Sequence, residues 1–211
     1  MIKNNKIVVE IKDVNIFFRK NMHKKSAFHT VLKNFSLTIK KNEILGIYGA
    51  NGSGKSTLLK LIAGVIDPSS GKIVNFAKKT SLINLQVGFA PYLSGKDNIY
   101  LSSMYHGHTL KFISENMNSI ISFANLKNGF IEEPIINYSN GMRARLSFSI
   151  AVHTNADLIL IDEVLSVGDA DFKINSKNKI CELIKSDKTV VIVSHDLNLL
   201  KSLCTRIIDF V

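Results

Sequence analysis

The sequence of 211 residues has no tryptophan, three prolines and only two cysteines, Cys181 and Cys204. Two cysteines cannot staple a chain of this size, so its fold must rest on a hydrophobic core. Neither cysteine has the spacing of a metal ligand, and both lie in apolar-periodic stretches, so we expect reduced, buried thiols.

Long apolar runs are also absent. The longest runs fall well short of the roughly 20 residues that cross a bilayer, so we expect no transmembrane domain. The N-terminal residues have no continuous apolar segment or cleavage site of the kind found in a signal peptide. We therefore expect a protein that stays in the cytoplasm.

The formal net charge is +10. Such a charge can indicate nucleic acid or an anionic membrane surface as a partner. Here the lysines are scattered along the chain and no basic stretch is interleaved with aromatic residues, which argues against nucleic acid. Attraction to an anionic membrane face is compatible with this charge.

The hydrophobic pattern alternates between strands and helices, without a repeat or a linker that would divide the chain. We expect one domain over residues 1–211 and an α/β fold with a mainly parallel sheet. The last strands are continuous apolar runs, as burial on both faces requires. Strands are predicted at residues 6–18, 31–39, 44–48, 73–74, 81–85, 158–161 and 189–194, with a polar loop at residues 19–30, and helices at residues 55–63, 96–124, 141–152 and around Ile180.

A glycine-rich segment between a predicted strand and a predicted helix matches the phosphate-loop pattern G-x-x-x-x-G-K-[ST]. Glycines let backbone N–H groups converge on phosphate oxygens, and the helix directs its positive end at the same anion. The lysine and both hydroxyls stand in register, which favours an ATP site over a loop that binds nothing. The segment comprises Gly49, Ala50, Asn51, Gly52, Ser53, Gly54, Lys55, Ser56 and Thr57.

Two acids follow the apolar strand at residues 158–161. Asp162 can hold a water on Mg²⁺, and Glu163 can orient or deprotonate the attacking water. Taken alone, such a pair after a strand is also common at a helix N-terminus. His195 follows another buried strand and so emerges at the same sheet edge, within reach of a γ-phosphate, although a single histidine there is more often a surface or capping residue.

The order of these motifs, with YSNGM at residues 138–142 between the loop and the acids, resembles the ATPase domains of the ATP-binding-cassette (ABC) superfamily. The resemblance implies a P-loop NTPase fold with a RecA-like core, an N-terminal antiparallel β part and a helical subdomain at about residues 92–150. It implies ATP and Mg²⁺ as cofactors. It also implies the following roles: Phe18, or its neighbour Phe17, stacking on adenine; Ser56, Asp162 and Gln86 at the Mg²⁺; Glu163 as general base; Asp169 in the D-loop; His195 as the switch histidine; and Ser139, Asn140 and Gly141 as the signature that meets the γ-phosphate.

Three segments narrow the resemblance: FAPYLSGKDN at residues 89–98, the YSNGM stretch, and DEVLSVGDADF at residues 162–172. They are similar to ATPases that export capsule, O-antigen or teichoic acid. The resemblance implies a head-to-tail homodimer on the cytoplasmic face of the membrane. Separate polytopic permease subunits would contact the polymer. No C-terminal carbohydrate-binding domain is expected. The alternatives are another ABC-2-type exporter, a soluble ABC ATPase and a pseudo-ATPase.

Overall fold

The computed structural model describes residues 6–19, 28–83, 88–127, 129–153, 155–162, 170–186 and 188–210. The chain divides into two compact units. The first comprises the described residues within Met1–Leu82, Ala156–Asp162 and Ile184–Val211, and the second those within Ile83–Asn155 and Glu163–Leu183. In chain order the elements are β1 (Ile7–Arg19), β2 (Phe28–Lys40), β3 (Ile44–Tyr48), α1 (Lys55–Ile62), β4 (Ser70–Asn75), β5 (Thr80–Ile83), α2 (Gly95–Tyr105), α3 (Leu110–Ala124), α4 (Asn140–Val152), β6 (Leu158–Asp162), α5 (Ala170–Lys185), β7 (Thr189–Ser194), α6 (Leu197–Leu203) and β8 (Arg206–Asp209).

The first unit contains a parallel sheet that carries most of its core. The strand order is β5-β6-β7-β3-β8, and β3 pairs in parallel with both β7 and β8, while β6 pairs in parallel with β7. The central strands are buried along nearly their whole length. Continuous Val, Ile and Leu runs form such strands because both of their faces are covered.

A separate antiparallel sheet, in the order β2-β1-β4, completes the first unit. Several irregularities interrupt the pairing of β1 with β2. Val9 and Ile11 alternate on one face, and beyond an irregularity in the pairing Val14 and Ile16 do the same. These residues are buried and join the same core cluster as β3 and α1. The period of two therefore places one face of this sheet on the core.

The second unit is helical. Two turns of 3₁₀ helix, Phe130–Glu132 and Ile135–Asn137, lie between α3 and α4. Its core cluster contains Ile99, Ile113, Ile120, Leu146 and Ile150. These residues come from α2, α3 and α4, so the apolar faces of three helices meet in one cluster.

Most elements match the sequence prediction, and β3 matches it residue for residue. The predicted loop at residues 19–30 is wrong at its ends, because cross-strand pairing carries β1 to Arg19 and starts β2 at Phe28. The single helix predicted at residues 96–124 is two helices, because α2 ends before Gly107, which has a positive φ, and Thr109 caps α3. The sequence interpretation missed α6 and β8.

Two further expectations concern the cysteines and the membrane. Cys181 and Cys204 are free thiols, as expected, but both are half-buried rather than buried. Burial raises the pKa of the Cys204 thiol to about 12, so it stays protonated at neutral pH. None of the described helices is both long and apolar enough to cross a bilayer.

Candidate functional site

The phosphate-loop segment joins the buried strand β3 to α1. Strand β3 lies between β7 and β8, and the Phe210 N–H donates to the Tyr48 carbonyl at 2.7 Å. The following helix buries Leu58, Leu59 and Leu61 in the core. Both ends of the loop are therefore fixed by packing. The contribution of Phe210 had no signal in the sequence, because the two partners are far apart in the chain.

Lys55 is buried at the start of α1. Its Nζ donates to the Gly49 carbonyl at 2.9 Å and to the Ala50 carbonyl at 2.7 Å. The charged end of the side chain therefore lies against the backbone of the segment that is predicted to bind phosphate. These two hydrogen bonds hold the ammonium group against the backbone of the loop.

Gly54 shows why the pattern needs glycine. Its φ is +102°, and a Cβ at this position would lie 2.5 Å from Val31 Cγ1. An L-residue would meet both backbone strain and a clash. The contact also brings β2 against the end of the loop, so Val31 is a loop-supporting residue that sequence reasoning missed.

Phe17 and Phe18 lie near the end of β1, where Phe17 pairs with Thr30 and Phe18 with His29 of β2. Both side chains are exposed. Because Val31 of the same strand contacts Gly54, this end of the hairpin is close to the loop. An exposed aromatic beside a phosphate site is available to stack on a base.

Two hydroxyl groups of the loop segment are suitable donors to a phosphate group. Ser53 Oγ is buried and, among the residues that the structure describes, has no hydrogen-bond partner. Buried hydroxyls are normally satisfied, so one left open inside a glycine loop suits an incoming anion. The Ser56 side chain is exposed in the first turn of α1, where the N–H groups have no partners within the helix.

Asp162 and His195 reach the same edge of the parallel sheet as the loop. Asp162 ends β6 opposite Val193, and Tyr48 ends β3 opposite Ser194. Because β3, β6 and β7 run in parallel, their C-terminal ends carry Gly49, Asp162 and His195 to one edge. Asp162 is half-buried and His195 is exposed.

The backbone after His195 is fixed by Asp196, which sequence reasoning missed. Asp196 Oδ1 accepts from the Asn198 N–H at 2.9 Å and the Leu199 N–H at 3.0 Å, and so caps α6. The signal was available, because an aspartate directly before an apolar run is a typical N-cap.

The second unit holds Ser139, Asn140 and Gly141 at the start of α4. Ser139 Oγ accepts from the Met142 N–H at 3.2 Å, and Asn140 Oδ1 accepts from Arg143 Nη2 at 3.1 Å. All three side-chain positions are exposed. The helix therefore presents its positive end to the outside of this unit.

Tyr138, the residue before the cap of α4, fixes this helix end to the core of the second unit. It is buried, and its hydroxyl donates to the Phe130 carbonyl. A Cβ at Gly95 would lie 2.2 Å from that hydroxyl, which explains the glycine. Burial, and then the charges of Glu132 and Glu133, raise the pKa of Tyr138 to about 12.

Three predicted site residues, Glu163, Asp169 and Gln86, lie outside the described residues. In the part of the chain that the structure describes, no three His, Cys, Asp or Glu side chains cluster as a metal centre would need. The oxygen ligands that the described residues offer, the Ser56 hydroxyl and the Asp162 carboxylate, are of the kind that Mg²⁺ takes together with nucleotide phosphates. The residues present therefore fit that ion.

The profile of the ABC transporter family matches residues 32–166, which include the loop, the signature and both acids. The chain belongs to the ABC transporter family. Among curated relatives, it is 48% identical to the teichoic acids export ATP-binding protein TagH of Listeria innocua, over 84% of this chain and 52% of that protein. It is 40% identical to the O-antigen export system ATP-binding protein RfbB of Myxococcus xanthus, over 88% of this chain and 42% of that protein.

A further relative is matched over more of its length. The chain is 38% identical to the O-antigen export system ATP-binding protein RfbB of Klebsiella pneumoniae, and the match covers 88% of this chain and 78% of that protein. It spans about half the length of the TagH relative. These matches confirm the family resemblance drawn from the motifs.

The fold is that of a solved ATP-binding cassette. The dimeric structure of MJ0796 in a post-hydrolysis state bound to ADP and Pi superposes with a TM-score of 0.82, covering 96% of this chain and 94% of that chain at 23% sequence identity. Likeness at this identity shows the fold. The predicted P-loop ABC fold class is therefore confirmed.

Proposed function

We propose that this chain is the ATP-binding and ATP-hydrolysing subunit of an exporter for a cell-surface polysaccharide or related glycopolymer, such as capsule, O-antigen or teichoic acid. The observation that carries the proposal is the phosphate loop of an ABC family member whose relatives are named for teichoic acid and O-antigen export. The chain acts at the cytoplasmic face of the membrane as a peripheral subunit.

The loop and the sheet edge supply the chemistry on ATP. Lys55 and the N–H groups at the start of α1 bind the phosphates, and Phe18 or Phe17 stacks on adenine. Ser56 and Asp162, with Gln86, would hold Mg²⁺, which neutralises charge on the phosphate oxygens when bound. Glu163 orients and deprotonates the attacking water, and His195 contacts the γ-phosphate. Asp169 acts in the D-loop.

The signature at residues 139–141 acts on a second copy of the chain. Its helix end is exposed, and each chain has one such end and one phosphate loop. Two chains related head to tail therefore complete two sites, each with a loop from one chain and a signature from the other. ATP joins the copies, and hydrolysis removes the γ-phosphate contacts that hold them.

The second unit also offers a surface for the membrane partner. Along α2 and just before it, Tyr92, Leu101, Met104 and Tyr105 are exposed. Apolar side chains clustered on one short stretch are typical of an interaction site. We assign this surface to separate polytopic permease subunits, which contact the polymer.

The experiment that tests the function combines turnover with the identity of the partner. Glu163→Gln should reduce ATP turnover by about 100-fold or more, because it removes the general base. Glu115→Gln, an exposed glutamate on α3, is the control and should turn over ATP like the wild type. A tagged chain expressed in its native organism should co-purify with a polytopic membrane protein.

Each part of this experiment can contradict the proposal. Unchanged turnover in Glu163→Gln would overturn the catalytic assignment. A chain that hydrolyses ATP but binds no membrane protein would instead support a soluble ABC ATPase. A permease partner whose loss leaves surface polymer unchanged would point to an ABC-2-type exporter of another substrate.

A further inference from the structure

One buried asparagine holds the segment that enters α2. Asn98 is fully buried, and its side chain bonds only to backbone in the contacts that the structure gives. Its Oδ1 accepts from the Ala90 N–H at 2.7 Å, and its Nδ2 donates to the carbonyls of Ala90, Leu93 and Ser94 at 3.0, 3.1 and 2.8 Å. Such an amide fixes the course of a loop on both sides.

The loop so held, residues 90–94, carries an exposed tip. Tyr92 has 80% of its surface exposed, and Leu93 is also exposed. The Ser94 side chain caps α2 by accepting from the Asp97 N–H at 3.1 Å. A loop that is held by hydrogen bonds can belong to the kind of connected network that carries coupling between two sites.

The same loop is bonded to the stretch that leads into the signature. The Ile135 N–H donates to the Leu93 carbonyl at 3.0 Å, and the Ile136 N–H donates to the Pro91 carbonyl at 2.8 Å. Ser94 and Pro134 form an antiparallel bridge. All these residues belong to the second unit.

The connection continues to the helix end itself. The Tyr138 N–H donates to the Ile135 carbonyl at 2.9 Å, and the next residue, Ser139, caps α4. A chain of backbone hydrogen bonds therefore joins the Tyr92 tip to the start of α4 within one compact unit. Asn98 is the side chain that fixes the first link of this chain.

We propose that Asn98 is a positioning residue that locks the Tyr92 loop to the signature helix, so that engagement of the signature by nucleotide is felt at Tyr92. The inference rests on the proposed function, in which residues 139–141 meet ATP on a second copy. Asparagine is required because aspartate lacks the amide donors. A shorter polar side chain cannot reach both the Ala90 backbone and the carbonyls of Leu93 and Ser94.

The test uses the full chain labelled with 3-fluorotyrosine and observed by fluorine NMR. The Tyr92 resonance is assigned by its loss in Tyr92→Phe. A non-hydrolysable ATP analogue with an imido bridge is added, and dimer formation is followed by sedimentation. In the wild type we expect the analogue to produce the dimer and to shift the Tyr92 resonance.

Asn98→Asp should reduce that shift by about fivefold or more, the range of ordinary coupling between sites, while dimer formation changes by less than about twofold. Asn98→Ser serves as a second variant if the aspartate prevents folding. The matched control is Asn116→Asp on α3, which removes one bond from Asn116 Nδ2 to the Phe112 carbonyl in the same unit. It should keep the wild-type shift.

The outcomes separate the inference from the function beneath it. An Asn98 variant with the full Tyr92 shift, or an Asn116→Asp control that loses the shift equally, would overturn the positioning role. Dimerisation of the wild type without any shift at Tyr92 would overturn the inference alone. No dimer in the wild type at saturating analogue would overturn the proposed two-chain site, and the inference with it.

Discussion

The phosphate loop and the signature helix meet the same anion in the proposed dimer, but they are built differently. The loop is formed by backbone that is fixed at both ends, and Lys55 bonds to its carbonyls. The signature is an exposed helix end supported from beneath by Tyr138. Changes in the loop should therefore alter nucleotide chemistry directly, whereas changes around the signature should alter stability and dimer closure.

The largest effect is expected at Lys55. Lys55→Met removes the buried charge and both bonds to the loop, and ATP turnover should fall by about 1000-fold, as for other preorganised charge-stabilising groups. Steady-state ATPase assays measure this. Lys60→Met, at an exposed position on the same helix, is the control, and equal losses in both variants would contradict a specific role for Lys55.

Gly54→Ala should lower the free energy of unfolding by about 3 kcal/mol, because the positive φ and the clash with Val31 add. Gly52→Ala is the matched control. Its φ is +81°, but within the described part of the chain no atom beyond its two chain neighbours lies within 4 Å of the added Cβ, so only about 1 kcal/mol should be lost. Urea unfolding of both variants measures the difference, and equal losses would show that Val31 does not constrain the loop.

The support beneath the signature can be tested with a double-mutant cycle. Gly95→Ala should lower the free energy of unfolding by about 2 kcal/mol through its clash with the Tyr138 hydroxyl, and Tyr138→Phe by about 1 kcal/mol through the lost hydrogen bond. In the double variant the clash with the hydroxyl is relieved and only the contacts with Ile131, at 3.0 and 3.1 Å, remain, so the losses should be less than additive. Additive losses in urea unfolding would contradict direct contact between the two positions.

Ser139→Ala removes the cap of α4 and should lower the free energy of unfolding by about 1 kcal/mol. Thr109→Ala removes the equivalent cap of α3, where Thr109 Oγ1 accepts from the Phe112 N–H at 3.3 Å, and should have a similar effect. Only Ser139→Ala should also weaken ATP-dependent dimerisation, by about tenfold. Sedimentation measures dimerisation. An equal loss of dimerisation in Thr109→Ala would show that Ser139 acts only as a structural cap.

The last expected effect is a pH dependence that is confined to alkaline conditions. Burial raises the pKa of Tyr138 to about 12 in the folded chain, from an ordinary value of 10.0. Its contribution to stability is complete below pH 10 and is lost as the pH rises towards 12, because the unfolded chain releases the proton first. Cys204 titrates over a similar range. The free energy of unfolding of Tyr138→Phe should therefore fall less steeply between pH 10 and 12 than that of the wild type. Identical slopes would contradict this assignment.

The phosphate loop was predictable from sequence because its chemistry is local. The residue types, their spacing and the flanking strand and helix are contained in one short stretch. The sheet edge was predictable for a similar reason, since parallel strands place Asp162 and His195 by topology. The signature is assigned from its place in the motif order, and its contact with nucleotide stays a prediction.

The supports of both regions could not be predicted, because they depend on contacts between distant parts of the chain. Nothing in the sequence around Gly54 indicates Val31, and nothing around Tyr48 indicates Phe210. Asn98 reads as an ordinary polar residue of a helix, although burial and four backbone contacts set its role. The missed helix α6 is different, since Asp196 carried a usable capping signal.

The central claim is that ATP binding and closure of two copies are one event. The most direct measurement is a titration of the wild-type chain with the imido analogue of ATP, in which bound nucleotide and dimer are recorded on the same samples. The account predicts that the dimer grows along the nucleotide-binding curve, with one nucleotide per chain. Saturation of the chain with nucleotide while it remains a monomer would contradict the account.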